Sequence, residues 1–225
     1  MKVVGVITLK GGSGKTSLAM NMACAWGMMG VETRLVDLDP QKSATEWGLS
    51  AKGPGGVCML PTERGHFGFR MGEDVLPVDG AEALKNALER MPDSVERVVV
   101  DTPPNLDSPP VYVGILADVV LVPVEADLGS VRAARKSVAA MRAIQGRRGG
   151  LPHILIVPNK IDKSGITQSI MEHMTALGEV TTALPVSNAV RDAVAGGTHI
   201  FGTWYGRKFA VHVYSILNRI EELLK

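Results

Sequence analysis

Leu9-Lys10-Gly11-Gly12-Ser13-Gly14-Lys15-Thr16-Ser17 stands between a short β-branched apolar run, Val3 to Thr8, and a helical pattern from Ser17 to Met29 that stops at Gly30. Strand, glycine loop and helix in that order make a cradle for phosphate. A triphosphate carries several negative charges, so its site needs many donors at short range. Glycines let backbone N–H groups approach where side chains would collide. Gly11, Gly12 and Gly14 meet that need, with Ser13 among them. In the general pattern the lysine, here Lys15, reaches the β- and γ-phosphates, and the next hydroxyl, here Thr16, coordinates Mg2+. Ser17 follows at the helix N-terminus, placed to donate to the α-phosphate. The stretch predicts a site for a Mg-bound nucleoside triphosphate.

Outward from the loop, β and α patterns alternate. Thr33 to Asp37 reads as a second strand, and Pro40 to Gly48 as a turn opening a short helix. A helix over Ala81–Met91 leads to Arg97–Asp101, whose Val98-Val99-Val100 centre suits a strand buried on both faces. Buried-strand runs at Val119–Pro123 and His153–Pro158 alternate with helical patterns at Ser130–Gln145 and Ile166–Leu177. Gly206 precedes a final helix from about Arg207 to Lys225, with Val213, Ile216, Leu217, Ile220 and Leu223 at helical spacing. The expected fold is α/β, a doubly wound, mostly parallel sheet with helices on both faces, in one domain over residues 1–225. Ala51 to Asp79, rich in Gly and Pro and without helical or alternating periodicity of any length, reads as an irregular insertion with room for one short strand.

The 225 residues are enough for one ample core. No apolar run approaches the roughly 18 to 20 residues that span a bilayer, and the chain runs straight into a strand pattern instead of a signal peptide. A cytoplasmic protein is expected. Cys24 and Cys58 lie in unrelated contexts, which argues against a disulfide framework or zinc site. A formal net charge of +1 excludes a strongly basic footprint but allows a local patch.

Two acidic segments sit where the loop needs them. Asp101 closes the strand in Val98-Val99-Val100-Asp101-Thr102-Pro103-Pro104, and Asp37 and Asp39 lie in Leu35-Val36-Asp37-Leu38-Asp39-Pro40-Gln41. Either acid alone reads equally well as the cap of a turn. In an open parallel sheet, however, ligands gather at the carboxyl ends of the strands, where both segments and the loop fall together.

Leu9 stands where the general phosphate loop has glycine, and Lys10 opens the loop instead. In this the string resembles the deviant Walker A motif of the ParA/MinD family of ATPases, in which the extra lysine contacts phosphate across a dimer interface. The similarity runs from about Val3 to the last helix, with its strongest motifs at Lys10–Ser17, Leu35–Gln41 and Val98–Pro104, and is weakest over Ala51–Asp79. It implies a P-loop NTPase that takes ATP and Mg2+. Asp101 then resembles the Walker B acid that binds Mg2+ through water, and Asp39 the switch I acid that positions the hydrolytic water or a Mg-bound water, with Asp37 supporting the loop. Lys10, Lys15 and Asp39 are the implied catalytic set. Asn159 resembles the family asparagine that hydrogen-bonds adenine, and Pro185 opens a segment like the loop that closes over the base. Lys160 and Asp162 beside it match the guanine-reading motif of GTPases; that is the minor alternative, since every other motif fits the ATP-using family.

The start of the chain, with no helix-turn-helix ahead of the loop, resembles the small ParA branch. Such proteins form ATP-bound homodimers, bind DNA without sequence preference on the nucleoid, and let go when a ParB-like activating partner stimulates hydrolysis. Arg191, Arg207, Lys208 and Arg219 fall where family members carry DNA-contacting residues. A second basic cluster, Arg132, Arg135, Lys136 and Arg142 with Arg147 and Arg148 beyond, shares one side of a helical wheel and reads first as a solvated face. A MinD-like membrane role would use the final amphipathic helix, but Glu221 and Glu222 offset Arg219 and Lys225, whereas an anionic membrane favours a cationic face. An ATP-dependent biosynthetic ligase on the same fold is a further alternative. A reductase is disfavoured, because Cys24 and Cys58 are wrongly placed to share an iron–sulfur cluster.

Overall fold

Alternation along the first strand sets up the layers. Val4 and Val6 point into one apolar cluster, Val3 and Ile7 into another, and all four are buried. A computed structural model of the chain describes residues 1–51, 57–62, 65–104, 108–202 and 206–225. Along it run β1 (Lys2–Val6), α1 (Lys15–Met28), β2 (Thr33–Asp37), α2 (Ser43–Ser50), β3 (Val57–Thr62), β4 (Gly65–Arg70), β5 (Val75–Pro77) and α3 (Ala81–Glu89). Then come β6 (Arg97–Asp101), α4 (Ser108–Leu116), β7 (Val119–Val124), α5 (Leu128–Gln145), β8 (His153–Pro158), α6 (Gln168–Thr175), β9 (Glu179–Val180), α7 (Asn188–Ala195) and α8 (Gly206–Leu223).

Seven strands form one sheet in the order β5-β2-β6-β1-β7-β8-β9, with every pairing parallel. Parallel pairing requires crossovers, and the crossovers place helices on both faces. α1 and α8 cover one face with the help of α2 and α7, around Trp26, Leu35, Leu121, Val213 and Ile216. The other face is covered by α3, α4, α5 and α6 around Val36, Leu84, Val100, Val122 and Met141. The doubly wound α/β expectation therefore holds. The last helix buries most of its apolar stripe, with Val213, Ile216, Leu217 and Ile220 fully enclosed and Leu223 partly buried. Among the described residues no helix is long and apolar enough to cross a membrane.

The stretch from Ala51 to Asp79 departs from expectation. It holds an antiparallel hairpin, β3 paired with β4, and β5, which adds to the edge of the main sheet beside β2. Phe69 and Met71 are fully buried there. The pattern was hidden because Pro61, Gly65 and Gly68 interrupt alternation and β5 is only three residues long, too short to show a period. Residues 52–56 and 63–64 of this stretch lie outside the described residues. The helix expected over Ile166–Leu177 is shorter, because Thr167 caps it by accepting from the N–H of Ile170.

Candidate functional site

β1 delivers the chain to the carboxyl edge of the sheet, and the glycine loop turns it into α1. Gly12 and Gly14 adopt the left-handed region, at φ 71° and 88°. Gly14 is the residue ahead of α1, and a Cβ there would run into the side-chain amide of Asn159. Among the described residues no side chain caps this 14-residue helix, so its first N–H groups and the positive end of its dipole are left for an anion. Lys15 is buried with its Nζ 3.5 Å from the carbonyl of Lys10. Burial lowers its pKa, opposed by the charges of Asp101 and Asp39.

Two cavities meet at this loop. One, of about 390 Å3, is lined by Gly11, Gly12, Lys15, Thr16, Asp39 and Pro104 among others. The second, of about 590 Å3, is lined by Leu18, Asn21, Asn159, Leu184, Pro185 and Val190 among others and is mostly apolar. Gly14, Ser17, Lys160 and Val194 border both. A smaller chamber bordered by the glycine loop, Lys15 and Asp39 beside a larger apolar one matches the two halves of a nucleotide, phosphates and base.

The three acids divide the work. Asp37 is fully buried and its carboxylate is spent on structure: Oδ2 accepts from the N–H and hydroxyl of Thr45 at 2.9 and 2.8 Å, and Oδ1 from the N–H of Asp39 at 3.1 Å. Those bonds fix the turn that aims Asp39 into the smaller cavity, where its Oδ1 also accepts from the N–H of Gln41 at 2.9 Å. Asp101 ends β6 fully buried, and among the described residues neither of its oxygens has a hydrogen-bond partner. Burial pushes its pKa up to about 7; the facing Thr16 hydroxyl favours the ionised form but does not reach bonding geometry, Asp37 adds repulsion and Lys15 attraction. Thr102 anchors the strand end by donating to the carbonyl of Val6 at 2.7 Å.

Lys10 lines neither cavity. Its ammonium lies 2.7 Å from Glu125 Oε2, 3.0 Å from Asp127 Oδ2 and 2.8 Å from Ser130 Oγ. Partial burial works against the charge, but the bonds to Glu125 and Asp127 outweigh it, and the Lys10 pKa is raised. Asn159 ties the base side to the loop, donating from Nδ2 to the carbonyl of Ser13 at 2.7 Å and accepting from the N–H of Lys160 at 3.0 Å. Lys160, left-handed at φ 55°, donates to the carbonyl of Gly12 and pairs with Glu125 at 3.1 Å. Asp162 is exposed, accepts from Ser164 and does not line the cavity, so nothing here favours guanine reading.

Sequence reasoning missed Thr45, Glu125, Asp127, Ser130 and Asn21. The acids Glu125 and Asp127 follow the end of a buried strand, the same signal that marked Asp101. Asn21 is buried in α1 beside the larger cavity, with its amide oxygen unpartnered. The C-terminal basic residues do not form one patch. Arg191 sits at the larger cavity, and Arg207 and Lys208 open α8. Arg219 lies about 16 Å further along the helix at 1.5 Å per residue, held by Glu179 and by Glu222 at 2.8 Å.

The chain is 25% identical over 224 residues to maintenance of carboxysome distribution protein A of Halothiobacillus neapolitanus, covering 96% of this chain and 95% of that one. It is 25% identical over 221 residues to protein IncC of Escherichia coli, where it covers 87% of this chain but only 60% of the longer relative. An ATP complex of a Cyanothece McdA variant superposes with a TM-score of 0.72 at 16% identity, covering 100% of this chain and 96% of that one, a likeness of fold. The family model described as CobQ/CobB/MinD/ParA nucleotide binding domain matches residues 4–200, a span that takes in the loop, both acidic strand ends and Asn159. With most of its length matched in this way, the chain belongs to the CobQ/CobB/MinD/ParA nucleotide-binding family.

Proposed function

We propose that this chain is a Mg2+-dependent ATPase of the ParA/MinD type whose ATP-bound form is a homodimer that positions a large cargo, DNA or a protein body. In this reading it binds DNA without sequence preference and is reset when a partner protein stimulates hydrolysis. The observation that supports this reading is Lys10, a charged loop residue that lines neither cavity of its own subunit and is held instead by Glu125 and Asp127. The relatives support positioning as the task, since one is named for carboxysome distribution.

The residues fit a Mg-nucleotide. Asp101 is an ionisable group with two unpartnered buried oxygens beside Thr16, a demand that a hydrated divalent ion satisfies, and Mg2+ takes few protein ligands and keeps its waters. When bound, that ion neutralises charge on the β- and γ-phosphates. Thr16 would hold it directly and Asp101 through water. Lys15 and the N–H groups of Gly11 to Thr16 bind the phosphates, and Ser17 the α-phosphate. Asp39 orients the attacking water from the smaller cavity, and Trp47 and Pro104 narrow the space around it. Asn159, Leu184 and Pro185 enclose adenine. Lys10, moved from its acids to the partner's nucleotide, completes the charge stabilisation, so turnover is slow until the dimer forms.

The test compares wild type with Lys15→Ala and Asp39→Ala. Lys15→Ala is expected to lose ATP binding; Asp39→Ala is expected to keep ATP and the ATP-dependent dimer, read by light scattering, while phosphate release falls at least tenfold. Undiminished hydrolysis by Asp39→Ala would falsify the mechanism. Binding of the ATP form to phosphatidylserine vesicles but not to duplex DNA would assign the MinD-like role, and binding to neither would point to a small-molecule ligase.

A further inference from the structure

We propose that the exposed face of α5 is the surface that grips duplex DNA, through Arg132, Arg135, Lys136 and, just past the helix end, Arg147. This rests on the DNA-binding reading above. From Leu128 to Ile161 the chain has no Asp or Glu and carries seven Lys and Arg, in a protein whose formal net charge is only +1. The rest of the molecule is therefore net acidic by about six charges, and positive potential is concentrated on this one segment.

The fold sorts those cations. Arg142 donates to the carbonyl of Leu177 at 2.8 Å, and Arg148 to the carbonyls of Gly114 and Ala117, so both are spent on packing. Lys160 is held at the loop. That leaves Arg132, Arg135, Lys136 and Arg147, all exposed and without an ion pair among the described residues. At 100° per residue Arg132, Arg135 and Lys136 fall within one strip with the exposed Ala139 and Ala143, which runs about 16 Å from Arg132 to Ala143, and Arg147 follows just past the helix end. Small alanines between cations leave a flat face that a sugar–phosphate backbone can approach. The neighbouring helices offset little of the charge: α4 has no charged side chain, and α6 carries a single acid, Glu172, against the four cations.

The C-terminal cluster is a weaker competitor. Arg219 is already held by two carboxylates, and Arg191 stands at the cavity assigned to the base. A membrane fits α5 poorly, because an interfacial helix needs an apolar stripe beside its charges. The one large apolar side chain exposed on α5 is Leu128, in its first turn. The helix also starts at the acids that hold Lys10: Asp127 caps it, and Ser130 contacts the Lys10 ammonium. Release of Lys10 to a partner's nucleotide thus acts at the first turn of the DNA-binding helix, which gives ATP a route to gate binding.

The experiment measures binding of random-sequence duplex DNA with a non-hydrolysable ATP analogue across a salt series. Wild type is compared with Arg132→Gln/Arg135→Gln/Lys136→Gln and with Arg207→Gln/Lys208→Gln. Loss of three phosphate contacts is expected to reduce the log–log salt slope by about 2.7 and affinity at 0.1 M salt by roughly two orders of magnitude, at unchanged nucleotide affinity. The double variant is expected to move less. A triple variant with the wild-type slope overturns the proposal, as does one that loses nucleotide together with DNA, or wild-type capture by phosphatidylserine vesicles that the triple variant abolishes. A wild type that binds no DNA in any nucleotide state sinks the broader DNA reading, and this face with it.

Discussion

Lys10 and Glu125, 115 residues apart in sequence, meet at 2.7 Å, and Asp127 joins them at 3.0 Å. The resting subunit thereby satisfies the very charge that a dimer would use. Burial disfavours ionisation of Glu125, but its bonds from Lys10 and Lys160 prevail and its pKa is lowered, so the pair stays charged at neutral pH. In the proposed dimer, each pairing would first break this contact. For a partly exposed ion pair that cost is about 0.2–1 kcal/mol after solvent screening.

Glu125→Gln is accordingly expected to promote dimers, lowering the dimer Kd with a non-hydrolysable ATP analogue about two- to fivefold. Asp127→Asn gives a smaller change in the same direction, because Asn preserves the cap of α5 while removing the charge. Sedimentation across a protein concentration series reads both. Combined with Lys10→Ala, the gain from Asp127→Asn should vanish, as a double-mutant cycle requires for a carboxylate whose ion pair is with Lys10; a gain from Glu125→Gln that survives in that background would show that its second cation, Lys160, carries the effect.

A second long-range contact locks the last helix to the sheet. Glu221 accepts from the indole of Trp26 at 2.7 Å and from Arg97 at 2.9 and 2.7 Å. Glu221→Ala leaves the buried indole N–H without an acceptor and Arg97 without a counter-charge, a loss of about 1–3 kcal/mol and, at this chain length, a Tm drop of several degrees. Burial opposes ionisation of Glu221, yet the bonds from Arg97 and Trp26 hold its pKa below the usual value. A depressed carboxylate stabilises above its unfolded pKa and loses that contribution as pH falls through the folded one. The wild-type advantage over Glu221→Ala in thermal melts should therefore be full at pH 7 and shrink below about pH 4.5.

What could be read from sequence was local chemistry on a periodic scaffold. Lys10 to Thr16 announces itself because dense negative charge demands glycines and a helix N-terminus in consecutive residues, and Val98-Val99-Val100 because a strand buried on both faces has no polar alternate. The hairpin over Val57–Arg70 was illegible since two short strands broken by Pro61 and Gly68 carry no period. The Lys10 clamp was hidden for another reason: side-chain partners more than a hundred residues away leave no trace in spacing. The same applies to Arg219, which looks free in the sequence and is paired in the fold. Periodicity placed the strands whose ends form the site, and topology alone decided which charges meet there.

Asp101 allows the cost of the site to be measured without any ligand. Its folded pKa of about 7 stands above the unfolded carboxylate value, so between roughly pH 4 and pH 7 the folded state holds a proton that the unfolded state has lost. Stability must then fall as pH rises across that window, by up to about 1.4 kcal/mol per pH unit, with the full penalty present above pH 7. Asp101→Asn removes the ionisation. In urea unfolding with EDTA and no nucleotide, the variant is expected to match wild type near pH 4.5, to lose less stability toward pH 8, and to be the more stable protein there. With ATP and Mg2+ the order should reverse, since wild type gains stability by binding while the variant gains little. A variant less stable than wild type at pH 8 without ligand would mean that the Asp101 carboxylate is satisfied in the free protein, and that the fit of a hydrated ion to this pocket does not follow from its unpartnered oxygens.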